Sequence, residues 1–299
     1  MSPILRVLTT VSMAAVCLVA SALTAPADPR GVGVGSSSFS VRCSLWRTAN
    51  VDVDWYAPVD TPKALVFLQH GWLGSKRQMR DAALAFASDG YLVAAPSVAS
   101  LSVTCGLNNG ELVRNIGSAL GDGTVAQSGR AALGERWPGE PDRVVVAGHS
   151  IGAAIASLVA SSPGLRDRVR LVIHLDGVES ITGYLHDALQ VDRATPILQL
   201  TVPPSSLNAQ NSGPRVVATF RPGGSFEPST DGALLTSATH CDPLGDYPFN
   251  VCGSTPENQR AFFDLAVAGA NQALGAAGET FDVALARLGP LAVRTPHLS

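Results

Sequence analysis

Val144-Val145-Val146-Ala147-Gly148-His149-Ser150-Ile151-Gly152, followed by Ala153-Ala154-Ile155-Ala156-Ser157-Leu158-Val159-Ala160, is the stretch on which the fold turns. A β-branched apolar run enters Gly-x-Ser-x-Gly, and an alanine-rich helical run leaves it. The order is strand, sharp turn, helix. Such a turn lifts one serine hydroxyl above the carboxyl edge of a parallel sheet. Gly148 and Gly152 fit a place where backbones pass so close that a β-carbon would clash. The helix that begins beside Ser150 turns unpaired N–H groups toward any anion formed there.

Outward from this stretch, strands and helices alternate. Ala64–Gln69 is almost wholly apolar, as a strand covered on both faces requires, and His70-Gly71-Trp72-Leu73-Gly74 follows it. Arg77–Ser88 reads as a helix, and Tyr91–Ala95 as a strand stopped by Pro96. Glu111–Arg136 reads as helical but is weakened by glycines. Arg143–Ala147 leads into the elbow. Val169–Leu175 and Pro196–Val202 are further buried strands, the first ending in Asp176-Gly177. Arg215–Phe220 and Ala233–Ser237 both qualify as the final strand, and Pro256–Leu274 is a long helix. At the other end, Gly31–Ser38 reads as a flexible Gly/Ser lead-in. Phe39–Arg47 and Val51–Tyr56 read as a hairpin turning at Thr48-Ala49-Asn50. This alternation predicts an α/β fold, with a mostly parallel central sheet and helices on both faces. It shows no repeat and no second domain.

The first residues read as an export signal: Arg6, an apolar run from Val7 to Leu23, then small residues at Ala20-Ser21-Ala22 and Ala25-Pro26-Ala27. A retained anchor is the alternative, but Thr and Ser interrupt the run and it is short for a span. Val16 before Cys17 does not suit a lipoprotein site. The expectation is a signal over 1–27, one catalytic domain over 28–299, and a secreted monomer without a stable membrane anchor. A hydrophobic content of 46% is ample for a large core, and a net charge of −3 gives no basis for nucleic-acid binding. Beyond the signal stand Cys43, Cys105, Cys241 and Cys252, an even number that suits two disulfides in an exported chain. Three pairings are possible. Cys241–Cys252 closes the shortest loop and leaves Cys43–Cys105. No Cys-x-x-Cys pair exists and only His240 neighbours a cysteine, so no metal is expected.

The elbow resembles the nucleophile elbow of the α/β-hydrolases. His70–Gly74, with Ala82-Ala83-Leu84-Ala85-Phe86-Ala87-Ser88-Asp89-Gly90-Tyr91-Leu92-Val93-Ala94-Ala95-Pro96, is similar to secreted bacterial members of the platelet-activating-factor acetylhydrolase, cutinase-like lipase and polyester hydrolase group. The resemblance implies Ser150 as nucleophile and a chain order of serine, acid, histidine. A serine hydroxyl needs a base, and the base needs a partner to hold its ring. His240, in the loop Ala238–Pro243, is the base expected. His174 and His186 come too early, and His297 sits in the tail. The loop Pro203–Asn211, where many relatives carry the acid, has no carboxylate. Asp176 is therefore the acid expected, as in the acetylhydrolase arrangement, although an aspartate before Gly177 also suits an ordinary turn. Glu179 and Asp231 are reserves. Ile151 and Trp72 are the expected oxyanion donors, Trp72 being preferred to Leu73. His70 and His149 have supporting places.

These residues point to a serine esterase or lipase acting on a small-molecule or lipid ester through an acyl-enzyme, with no cofactor. An exported acyltransferase would use the same intermediate and pass it to a sugar alcohol. A non-catalytic binding member of the fold would not need the serine, histidine and aspartate together.

Overall fold

The computed structural model describes residues 31–100, 102, 104–179, 183–192, 194–208, 231–245 and 253–295. The expected signal, Arg215–Phe220, Cys252 and His297 lie outside them. Among the described residues no helix is long and apolar enough to cross a membrane.

Among the described residues nine strands form one sheet. In chain order they are β1 (Gly33–Ser44), β2 (Arg47–Ala57), β3 (Leu65–Gln69), β4 (Leu92–Ser97), β5 (Val144–His149), β6 (Val169–Leu175), β7 (Ile197–Thr201), β8 (Asp231–Leu235) and β9 (Ala292–Arg294). Across the sheet they run β1-β2-β4-β3-β5-β6-β7-β8-β9. From β4 to β8 every pair is parallel; β1, β2 and β9 are antiparallel to their neighbours. The carboxyl ends of β3, β5, β6, β7 and β8 thus open on one edge, with β5 at the centre.

The α-helices among the described residues are α1 (Arg80–Ser88), α2 (Gly110–Gly121), α3 (Thr124–Leu133), α4 (Ile151–Ala160), α5 (Tyr184–Val191), α6 (Pro256–Leu274) and α7 (Phe281–Leu288). The pleat sends alternate side chains to opposite faces. Leu65, Phe67, Val144 and Val146 join one core with α2, α3, α4 and α5. Val66, Leu68, Val145 and Ala147 join the other with α1, α6 and α7. Covered twice, β3 and β5 are buried along their whole length. That is why their sequences lack polar alternation. This is the α/β-hydrolase fold expected from the sequence.

Several local expectations change. The hairpin turns at Leu45-Trp46, and Thr48-Ala49-Asn50 lie inside β2, opposite Arg42, Val41 and Ser40. The Gly/Ser lead-in is strand from Gly33 onward. A β-carbon on Gly35 would lie 2.5 Å from the Ala132 carbonyl oxygen of α3, so glycine serves close packing there and not freedom. Pro96 does not end β4. It pairs with Val53 of β2, beyond the last partner of β3 at Ala94, where a missing N–H is tolerated. The Glu111–Arg136 segment is two helices broken at Asp122-Gly123, with Gly123 left-handed at φ 84°. The strands Val169–Leu175 and Ala233–Ser237 and the helix Pro256–Leu274 occur as read, within two residues. The short elements α5, α7 and β9 were not expected.

Candidate active site

Ser150 stands between β5 and α4 at φ 57°, ψ −130°, a conformation that an L-residue adopts only under tight constraint. The constraint comes from both flanks. A β-carbon on Gly148 would run into the Gly152 carbonyl, and one on Gly152 into the His70 carbonyl. The elbow is stitched to the exit of β6: the Ser150 N–H donates to the Leu175 carbonyl at 3.2 Å, and the Val178 N–H to the Ser150 carbonyl at 3.0 Å. The segment carrying Asp176 is thereby fixed beside the serine.

Three loops bring Ser150, His240 and Asp176 together. His240 Nε2 lies 3.0 Å from Ser150 Oγ, and His240 Nδ1 lies 2.6 Å from Asp176 Oδ2. With Nδ1–H donating to the carboxylate, the Nε2 lone pair faces the serine hydroxyl. Asp176 is fully buried, and His240 is 8% exposed. Asp176 has φ 46°, and its backbone N–H donates to the Leu200 carbonyl at 2.7 Å. One residue thus combines a left-handed turn position with a contact to the histidine ring.

The loop after β7 has no carboxylate but does reach the site. Asn208 Nδ2 donates to Asp176 Oδ2 at 3.1 Å, and the Val202 N–H to Asp176 Oδ1 at 3.2 Å. Asn208 Oδ1 accepts from the Ser205 N–H and hydroxyl, which folds the loop so that the amide faces inward. Sequence reasoning missed Asn208. The Ser205…Asn208 spacing is a turn signal that could have indicated it. Glu179 accepts from the Leu185 N–H near the start of α5. Asp231 opens β8, and its side chain lies outside the described residues.

His240 sits in the loop between β8 and α6. Asp242 braces that loop: Oδ2 accepts from the Thr239 N–H at 2.6 Å, and Oδ1 from the Thr255 N–H at 3.0 Å. Cys241 is disulfide-bonded; Cys252, the partner expected for it, lies outside the described residues. Cys43 and Cys105 are bonded to each other as expected.

The loop after β3 lies against the elbow, since a β-carbon on Gly71 would be 2.9 Å from Ser150 Cβ. The Leu73 N–H donates to Ser100 Oγ at 2.9 Å. The Trp72 and Ile151 N–H groups have no hydrogen-bond partner among the described residues. The loop is anchored by His70, whose Nε2 accepts from the Val98 N–H at 3.0 Å. Nδ1–H then donates to the Gly71 carbonyl at 2.7 Å. Burial keeps this ring neutral by lowering its pKa. Trp72 is 48% exposed and Leu73 is 65% exposed, two apolar residues on the loop that meets the elbow.

Two further described histidines take no part in this contact. His174 Nε2 meets Ser157 Oγ at 2.9 Å under α4, and burial pushes its pKa down to about 3. His186 is exposed on α5. His149 is buried beneath His240, with ring centroids 4.7 Å apart. Among the described residues no cluster of three or more His, Cys, Asp or Glu side chains is placed to hold a metal ion.

No protein-family profile matches this chain, and no curated protein matches it either. Solved structures do. A dienelactone hydrolase from Anabaena variabilis ATCC 29413 superposes with a TM-score of 0.51 at 14% identity, over 78% of this chain and 96% of that one. A dienelactone hydrolase-like promiscuous phosphotriesterase from metagenomic libraries gives a TM-score of 0.51 at 15% identity, with the same coverage. At such identities the likeness concerns the fold.

Proposed function

We propose that the chain is an exported serine hydrolase that cleaves carboxylic esters through an acyl-enzyme. The observation that carries this reading is the continuous contact from Ser150 Oγ through the His240 ring to buried Asp176, at the carboxyl edge of a parallel sheet. Ser150 Oγ attacks the ester carbonyl carbon as His240 Nε2 takes its proton. The carbonyl π electrons move onto oxygen, which the Trp72 and Ile151 N–H groups stabilise. Asp176 stabilises the imidazolium and holds the tautomer. The tetrahedral adduct collapses, the C–O bond to the alcohol breaks, and His240 hands its proton to the departing oxygen. Water repeats the sequence on the acyl-enzyme and frees Ser150. The exposed Trp72 and Leu73 suit an apolar acyl or alcohol portion. Fold likeness to two hydrolases is compatible with this chemistry. The Cys43–Cys105 bond supports passage into an oxidising compartment.

The test is labelling with a fluorophosphonate and turnover of a short-chain p-nitrophenyl ester. Ser150→Ala is expected to abolish labelling and lower kcat by roughly 10⁴-fold or more, with the melting temperature unchanged. Wild-type turnover in that variant would remove the assignment.

A further inference from the structure

His149 precedes the nucleophile and has no part in the proton transfers above. Its side chain is buried, and its Nε2–H donates to the backbone carbonyl of His240 at 2.7 Å. Its Nδ1 has no partner among the described residues and faces Gly71. Nε2 must carry the proton, because a carbonyl only accepts. The ring is therefore a neutral, single-tautomer strut. It projects from the last residue of β5, the central strand, and ends on the main chain of the proposed base.

The base needs such a strut. His240 belongs to a loop with little regular structure. Asp242 ties that loop to Thr239 and Thr255, which joins the loop to itself and to α6 but not to the serine. His149 makes that connection: nucleophile and strut are adjacent in the chain, so one rigid side chain sets the spacing from Ser150 to His240. We propose that His149 is the positioning residue that holds His240 in register with Ser150, through its Nε2–H bond to the His240 carbonyl.

This inference rests on the serine-hydrolase reading, and the experiment separates the two. His149→Gln places an N–H donor near the position of Nε2. His149→Met keeps the length without the donor, and His149→Phe keeps the ring without it. A misplacement of about 1 Å costs roughly 100-fold in rate. The Met and Phe variants are thus expected to lose between about 10- and 100-fold in kcat and in fluorophosphonate labelling rate, with KM little changed. The Gln variant should stay within about 3-fold of wild type. Melting temperatures are recorded for all three, and either Met or Phe suffices if the other does not fold. Equal rates in Gln and in a folded Met or Phe variant would overturn the inference. Failure of the wild-type protein to label at Ser150 would overturn the underlying reading instead.

Discussion

At Asp176 a turn position and a hydrogen-bond acceptor coincide. Its left-handed backbone suits a short polar residue before Gly177, and its carboxylate takes up His240, Val202 and Asn208. Asp176→Asn should lower kcat by roughly 10⁴-fold, because an amide favours the wrong imidazole tautomer and cannot stabilise the imidazolium. Glu179→Gln should leave kcat close to wild type, since His240 Nδ1 is taken by Asp176 Oδ2. Steady-state kinetics on the two variants decides between the carboxylates. Asn208→Leu removes one donor from a buried carboxylate. That should cost about 1–3 kcal/mol in urea unfolding, and kcat should fall with it.

At the scale of elements, the 98–109 loop ties two parts of the molecule together. It takes the Leu73 N–H at Ser100, gives the Val98 N–H to His70, and is bonded to β1 through Cys105. The cysteines are 62 residues apart, and loop-entropy arithmetic gives the bridge about 4 kcal/mol. Cys43→Ser with Cys105→Ser should therefore lower the melting temperature. It should also lower kcat below that melting temperature, because the loop carrying Trp72 loses its outer support. Unchanged kcat would show that Ser100 and His70 suffice alone. Packing of β1 on α3 is a second test. Gly35→Ala must push against the Ala132 carbonyl and should cost about 1–3 kcal/mol, measured by denaturant midpoint. A flexible lead-in would show no cost.

Across the whole molecule, the buried histidines set an acid limit. His149 is pushed down to about 3 by burial first and by the neighbouring His240 second, His174 to about 3 by burial, and His70 is lowered by burial. The unfolded chain binds these protons near pH 6.5, whereas folded His149 and His174 do not until about pH 3, and His70 is shifted in the same direction. Stability therefore falls as pH drops below about 6.5. Between pH 7 and pH 5, His149 and His174 should each remove about 2 kcal/mol, with His70 acting in the same direction. Urea unfolding at pH 7, 6 and 5 reads this directly. His174→Asn should flatten the slope.

The sequence by itself determined the alternation of strands and helices, the buried parallel centre, the elbow at Ser150 and the few carboxylates and histidines that could stand beside it. Those features are written in neighbouring residues: a β-branched run, glycines where backbones touch, an aspartate before glycine at a strand exit. Only the tertiary structure decided which of the candidates meet. Asp176 and His240 are 64 residues apart, and they touch because β6, β7 and β8 run parallel and release their loops on one edge. The same edge brings Asn208 to Asp176, Ser100 to Leu73 and His149 to the His240 carbonyl. A local pattern such as Ser205…Asn208 marks a turn but not its distant partner, and each side chain reads as an ordinary turn or core residue until the strand order brings that partner near. The hairpin is the counterpart case. Thr48-Ala49-Asn50 is plausible turn chemistry, yet the register of β1 on β2 puts the turn at Leu45-Trp46, because pairing along the whole ribbon outweighs one local preference.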